Sequence, residues 1–305
     1  MNADQTKTKA LFSDLRSSAL VCGLLLFITG CCTTKTREAY YGKTLTMDQV
    51  VGIVNTNNQM IPTLNANIDF DVEVTTDGKK DGVSGSGTIN YRRPGDLLLR
   101  GSKEFVGPIF EIGSNKNSYW MTLIPKVETA WYGSYKNLGK PCVQNLPIQP
   151  DMLVEVLGIS TFNTNFLEQP VPVMRFNHEE DAYEFTWNIR LADRWAAKKM
   201  VRYDRSTQQP TQVSIFDENA RTILKAELSE PVAIEAPELP KDRLPKIASK
   251  YDLLFPESQM HLTLKLNEVV LKKGRIPSDI TFRMPERDKF GVQKEVIQVD
   301  KDCDD

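Results

Sequence analysis

The chain is poor in cysteine and histidine and carries almost no net charge, and each shortage closes off a class of function. Five cysteines in 305 residues are too few and too scattered for a disulfide scaffold. The two histidines, His178 and His261, come without an H-E-x-x-H or C-x-x-C pattern, so no metal site is expected. Against 38 basic residues stand 40 acidic ones, for a net charge of −2. That balance lacks the clustered basic excess of a nucleic-acid binder. There is no G-x-S-x-G nucleophile elbow, and Ser84-Gly-Ser-Gly-Thr88 lacks the Gly-Lys-Ser/Thr of a phosphate loop. Glu179, Glu180 and Asp181 form a carboxylate run that reads as a solvated turn. No catalytic residue and no cofactor is expected. What is present is a globular composition, 40% hydrophobic and 26% charged.

The N-terminus carries the sharpest signal. Lys7, Lys9 and Arg16 precede an apolar run from Ala19 to Ile28. As a helix this run rises only ~15 Å, about half a bilayer core, which fits a signal peptide over residues 1–30. The run ends Leu26-Phe27-Ile28-Thr29-Gly30-Cys31, which resembles the bacterial lipobox. The small residues Thr29 and Gly30 admit the backbone to a signal peptidase that cuts between Gly30 and Cys31. The resemblance implies that the Cys31 thiol forms a thioether with diacylglycerol and that the freed amine takes a further acyl chain. Two or three acyl chains anchor a protein stably. By resemblance to enterobacterial sorting, where Asp after the lipidated cysteine marks inner-membrane retention, Cys32 makes the outer membrane, facing the periplasm, the expected location. An envelope compartment permits disulfides, but sequence does not pair Cys32, Cys142 and Cys303.

Residues 31–44 read as a lipidated polar tether. A helix follows, opened by the capping-box pair Thr46 and Gln49, with Met47, Val50, Val51 and Val54 on one face. From residue 65 the period becomes two. Ala66, Ile68, Phe70, Val72 and Val74 alternate with Asn67, Asp69, Asp71 and Glu73, an antiparallel strand with one wet face. Asp77-Gly78 turns into a strand over 83–92, where Gly85 and Gly87 leave a shallow spot or a bend. Short strands follow over 97–103, 109–113, 118–123 and 127–133. A helix is expected over 150–158, with Gly158 as its C-cap. Strands then resume over 183–189, 197–204, 211–217, 221–229, 262–266 and 279–283. A proline-rich surface connection covers 231–245, and a loose acidic tail closes the chain over 291–305. The sum is a mainly β (α+β) fold of ten to twelve strands. An open sheet that wide curls. The expected architecture is a curved, incompletely closed antiparallel half-barrel with helices covering its concave face.

This order resembles the LolA/LolB-like lipoprotein carriers and their lipid-anchored relatives over roughly residues 45–290. Three stretches carry the likeness. They are Gly85-Ser-Gly-Thr-Ile-Asn-Tyr-Arg-Arg-Pro94-Gly-Asp-Leu-Leu-Leu-Arg100, Phe110-Glu-Ile-Gly-Ser-Asn-Lys-Asn-Ser-Tyr-Trp120, and Tyr203-Asp-Arg-Ser-Thr-Gln-Gln-Pro210. The resemblance implies that an acyl chain of a lipid or lipoprotein is held in an apolar hollow between sheet and helices. Ile68, Phe70, Val72, Trp120, Trp131, Phe185 and Trp187 are the expected lining. It also implies an exposed apolar loop for membrane insertion, for which Gly107-Pro108-Ile109-Phe110 and Leu146-Pro147-Ile148 are available. An arginine that holds the empty carrier shut is implied too, with Arg92, Arg93 and Arg100 at hand. The alternative reading keeps the fold but lets the same rings fill a core, making a structural lipoprotein of an envelope complex. The two readings differ in whether a continuous apolar hollow exists.

Overall fold

The computed structural model describes residues 42–124, 128–138, 140, 142–143, 146, 148–236, 239–271, 277–292 and 294–303. Gly30, Cys31, Cys32, the signal segment and the tether up to residue 41 lie outside the described residues.

Helix α1 spans Met47–Gln59. The backbone N–H of Thr46 donates to Gln49 Oε1 at 3.0 Å, satisfying one orphan donor at the helix start. Val50, Val51 and Val54 form its buried stripe. Asn55 and Asn58 continue that stripe one turn on and are also buried, which demands partners. Helix α2 spans Pro150–Val156, with proline in its first turn, where a missing N–H costs nothing. Gly158 follows at φ +70° and ends it.

The strands are β1 Thr63–Thr76, β2 Lys79–Arg92, β3 Asp96–Lys103, β4 Gly107–Ser114, β5 Ser118–Leu123, β6 Thr129–Ser134 and β7 Val171–Asn177. The rest are β8 Ala182–Arg190, β9 Trp195–Asp204, β10 Pro210–Phe216, β11 Thr222–Ala233, β12 Lys246–Phe255, β13 Met260–Val270 and β14 Glu295–Gln298. All fourteen make one sheet in the order β14-β6-β5-β4-β3-β2-β1-β13-β12-β11-β10-β9-β8-β7. Neighbours are antiparallel except β14, which runs parallel to β6. Laid flat, such a sheet would be about 60 Å wide at ~4.8 Å per strand. Instead, Ile112 of β4 and Phe185 of β8 belong to one core, as do Ile68 of β1 and Val213 of β10. The sheet therefore wraps around a single apolar interior and stays open between β14 and β7, the curved half-barrel that its patterning predicts.

Two glycines of β2 mark a close approach to β3. A Cβ on Gly87 would lie 1.8 Å from the carbonyl oxygen of Arg100, and one on Gly85 2.2 Å from that of Ser102. Both glycines are sites of close approach by β3 rather than a shallow spot.

Four expectations are corrected. β7, β12 and β14 were not legible as strands. Residues 279–283 form a turn, closed by Thr281 N–H to Ser278 O at 2.9 Å, because Phe282 is buried singly while Ile280 stays 76% exposed. The connection at 231–245 begins inside β11, where Pro231 faces Ala248 of β12. The acidic tail is not loose. Beyond β14, Val299 is fully buried. Asp300 Oδ2 accepts from Ser134 N and Asn137 Nδ2, both at 2.9 Å. Cys303 is disulfide-bonded to Cys142, 161 residues earlier.

Candidate functional site

The seven expected lining residues do not share one surface. Ile68, Phe70 and Phe185 are at most 3% exposed, Trp187 is 8% exposed, and all four belong to the main core. Val72 and Trp131 are partly buried against it. Trp120 is on the other side of the sheet, in a second cluster with Leu98, Ala130, Tyr132, Phe282 and Phe290. The reason is period two: Met121 takes the inward position in β5, so Trp120 points out. The segment 282–290 covers it, and its Nε1 donates to Glu111 Oε1 at 2.8 Å.

On the concave side Phe162 closes the space between helices and sheet. Its ring centroid is 4.8 Å from Phe185, 5.0 Å from Trp187 and 6.0 Å from Tyr203. Only about 30 Å³ of free space remains beside it. Two buried asparagines of α1 hold Phe162 there. Asn55 Oδ1 accepts from Phe162 N at 2.7 Å, and Asn58 Nδ2 donates to Gly158 O and Ser160 O at 3.1 and 2.9 Å. Arg93 reaches from the sheet to the same junction and donates to Asn58 O at 2.6 Å and Ile159 O at 3.4 Å. Of the three arginines, Arg93 thus ties the helical cover to the sheet. Arg92 instead pairs with Asp96 and Asp279, and Arg100 with Glu111. The signal for the asparagines was in the sequence: two polar residues in phase with an apolar helical stripe.

Larger openings lie elsewhere, and three of similar volume are found among the described residues. A cleft of about 770 Å³ runs between α2 and strands β9 to β11, bounded across the barrel by the β2–β3 turn. Met152, Val154, Ile215, Phe216 and Ile223 supply apolar walls. None of the seven expected lining residues lines it. Its mouth carries the exposed Lys116 and Lys198. Lys199 is neutralised by Glu155 at 2.6 Å and lies 4.5 Å above the Trp187 ring. Asp96, Asp151 and Tyr135 add polar groups to the wall. Burial pushes the Tyr135 hydroxyl up to about 12, and the charges of Asp151 and Asp96 push in the same direction. Burial also raises the Asp151 carboxyl above its ordinary value.

The expected insertion loops are corrected as well. Ile109 and Phe110 belong to β4 and are at most 7% exposed, while Ile148 is 5% exposed. An exposed apolar tip lies two residues upstream of Gly107. Phe105, in the β3–β4 hairpin, is 99% exposed and Val106 51% exposed. The carboxylates of the 179–181 turn are engaged locally, Asp181 with Arg205 at 3.0 Å and Glu180 with Arg202 at 3.6 Å. His178 meets the Phe176 ring edge-on, and His261 Nε2 lies 3.9 Å from Asp252 Oδ1. Among the described residues, no group of three His, Cys, Asp or Glu converges on a point.

No family model matches the chain, and no curated protein matches it. Several solved structures are similar. A DUF1329 family protein from Desulfovibrio piger is 11% identical, with a TM-score of 0.48, over 79% of this chain and 98% of the other. A LolA superfamily protein from Nitrosomonas europaea is 11% identical, with a TM-score of 0.47, over 79% and 99%. An outer membrane lipoprotein-sorting protein domain from Vibrio parahaemolyticus is 9% identical, with a TM-score of 0.46, over 77% and 97%. A LolA superfamily protein and a lipoprotein-sorting protein domain are thus among the solved structures to which this chain is similar. At such scores the likeness is loose, and no ligand or activity passes from those proteins to this one.

Proposed function

We propose that this chain is a lipid-anchored protein of the bacterial envelope that holds one acyl chain, from a lipid or a lipoprotein, in the cleft between α2 and β9–β11. Cys31 carries the anchor, after cleavage behind Gly30, and the half-barrel faces the periplasm from the outer membrane. The observation that carries the ligand reading is the cleft of about 770 Å³ with its apolar walls. Ligand sites are concave, mostly apolar and ~300–1,000 Å³ in volume. Each buried methylene contributes about 0.8 kcal/mol, so a dozen give useful affinity without any catalytic group. The exposed Phe105 and Val106 provide an apolar tip for contact with the membrane surface.

A second reading keeps the anchor and gives the domain a scaffolding role. The concave rings around Phe162 favour it, because they leave only about 30 Å³ free. A fluorescent sixteen-carbon fatty acid separates the two readings. The ligand reading expects saturable binding that Ile223→Trp, which crowds one apolar wall of the cleft, weakens. Equal uptake by both proteins, or none by either, overturns it. The anchor has its own test: Cys31→Ser should end incorporation of a labelled fatty acid, and persistent labelling refutes it.

A further inference from the structure

One wall of the cleft belongs neither to the sheet nor to an α-helix. Tyr135 and Leu138 line it at the start of the connection from β6 to α2, and Gln149 lines it where α2 begins. Tyr135–Asn137 is a single 3-10 turn, whose hydrogen bonds are poorer than those of an α-helix. Such a segment keeps its place only where contacts outside the cleft hold it.

The C-terminal segment supplies those contacts. Val299 is buried, and its N–H donates to Tyr132 O at 3.0 Å. Asp300 Oδ2 accepts from Ser134 N and Asn137 Nδ2, and Gln298 Nε2 donates to Asp300 Oδ1 at 3.2 Å. Asn137 and Asp300 are both buried, so each satisfies the other away from water. Cys303 is bonded to Cys142 in the same connection. The held residues Ser134, Asn137 and Cys142 thus alternate with the lining residues Tyr135 and Leu138. Both halves of the cystine are partly exposed, which leaves the bond open to a soluble thiol.

We infer that the C-terminal segment is a working part of the ligand site: Asp300 and the Cys142–Cys303 bond position the wall at Tyr135 and Leu138, and the redox state of that bond sets the affinity of the cleft. The inference rests on the cleft being the ligand site, and it names how that site is regulated. A dithiol reductant gives up two electrons and two protons, closes to its own cyclic disulfide and leaves the thiols of Cys142 and Cys303. Asp300 then still holds Ser134 and Asn137, but the stretch beyond Asn137 loses its tie. The wall is in position for a smaller fraction of the time, and the apparent affinity falls by that fraction. Binding and reduction are linked, so each shifts the other by the same factor.

The test uses the chain from residue 33, in which Cys142 and Cys303 are the only cysteines. Residues 41–305 form one compact unit with its own core, so this protein retains the fold. The fluorescent sixteen-carbon fatty acid is titrated into the parent, into Cys142→Ser with Cys303→Ser, and into Asp300→Ala, which keeps the bond. Tryptophan fluorescence and thermal unfolding report that each is folded at the temperature used. Both variants should bind at least about fivefold more weakly, the low end of coupling between linked sites. The reciprocal measurement needs the parent alone. In a dithiothreitol redox buffer, saturating fatty acid should lower the ratio of reduced to oxidised protein by the factor that separates parent from double variant. A role confined to stability would not move that ratio. Unchanged affinity in folded variants, with no effect of ligand on reduction, would overturn the inference while the cleft reading stands. Tighter binding without the bond would show that the bond obstructs the cleft, and would overturn it as well. No binding by the parent would sink the cleft reading and the inference with it.

Discussion

Breaking the bond between Cys142 and Cys303 measures how firmly the C-terminal segment is part of the fold. The bridge closes a ring spanning 161 residues. Chain-entropy arithmetic gives about 5 kcal/mol for a ring of that size, and removal of native bridges from small domains typically costs ~2–5 kcal/mol. The noncovalent contacts of β14, the buried Val299 and the hydrogen bonds to Asp300 keep the segment in register once the bond is cut. The expected result is therefore destabilisation of the native state, not loss of the fold. The perturbation is Cys142→Ser with Cys303→Ser, compared with the unmodified protein with and without reductant. Urea unfolding followed by tryptophan fluorescence is a suitable assay, since Trp131 lies opposite Ile297 of β14. The variant should lose about 3 kcal/mol or more, and reductant should reproduce that loss in the parent protein alone. Superimposable curves for parent and variant would show that the segment contributes nothing, and the account of the tail would fall.

Other outcomes follow from single contacts. Phe162→Ala should cost about 3–5 kcal/mol, as large-to-small changes of buried aromatics do, and should raise the uptake of small apolar dyes through the enlarged void; unchanged stability would mean the rings do not close the concave side. Gly87→Ala should destabilise by at least about 1–3 kcal/mol, because its Cβ would lie 1.8 Å from the Arg100 carbonyl oxygen, and a neutral result in thermal unfolding would remove the close approach as the reason for glycine there. Acid should weaken the fold through Glu184 and Asp300. Burial raises both carboxyls, yet hydrogen bonds from Asn177, Arg175 and Arg202 to the first, and from Asn137, Ser134 and Gln298 to the second, outweigh it and hold them below their ordinary values. A depressed folded value gives stability that is present above the unfolded value, ~4, and is lost as pH falls through the folded one. A stability profile flat from pH 6 to pH 3 in Asp300→Asn and parent alike would contradict this for Asp300.

The legible parts of the chain were those with a strict period or a turn signal. Val50, Val51 and Val54 marked α1, and the alternation from Ala66 to Glu73 marked β1. Asp77-Gly78, with φ of 53° and 75°, sits where a two-residue hairpin turn needs positive φ. β7 was missed because Pro172 and Arg175 break the pattern on an edge strand, where one side of the ladder is unpaired. β12 was missed because Ala248, Ser249 and Lys250 dilute its alternation. β14 has four residues and pairs in parallel with a strand far away in sequence, so no local signal foretells it. Which of the expected lining residues share a face was not legible for a related reason. Alternation says that Trp120 and Met121 face opposite ways, but not which of them faces the concave side. The cleft itself joins α2, the β2–β3 turn and β9–β11, which only the closure of the sheet brings together.

The central claim, that the cleft holds an acyl chain, is tested most directly by native mass spectrometry. The chain from residue 33, without its anchor, is produced in a bacterial periplasm and sprayed intact beside Ile223→Trp. The account predicts a discrete adduct on the first that fragments to fatty acid or phospholipid, and less of that adduct on the second. A first protein that is also bare, and stays bare after incubation with phospholipid and acylated peptide, would contradict it.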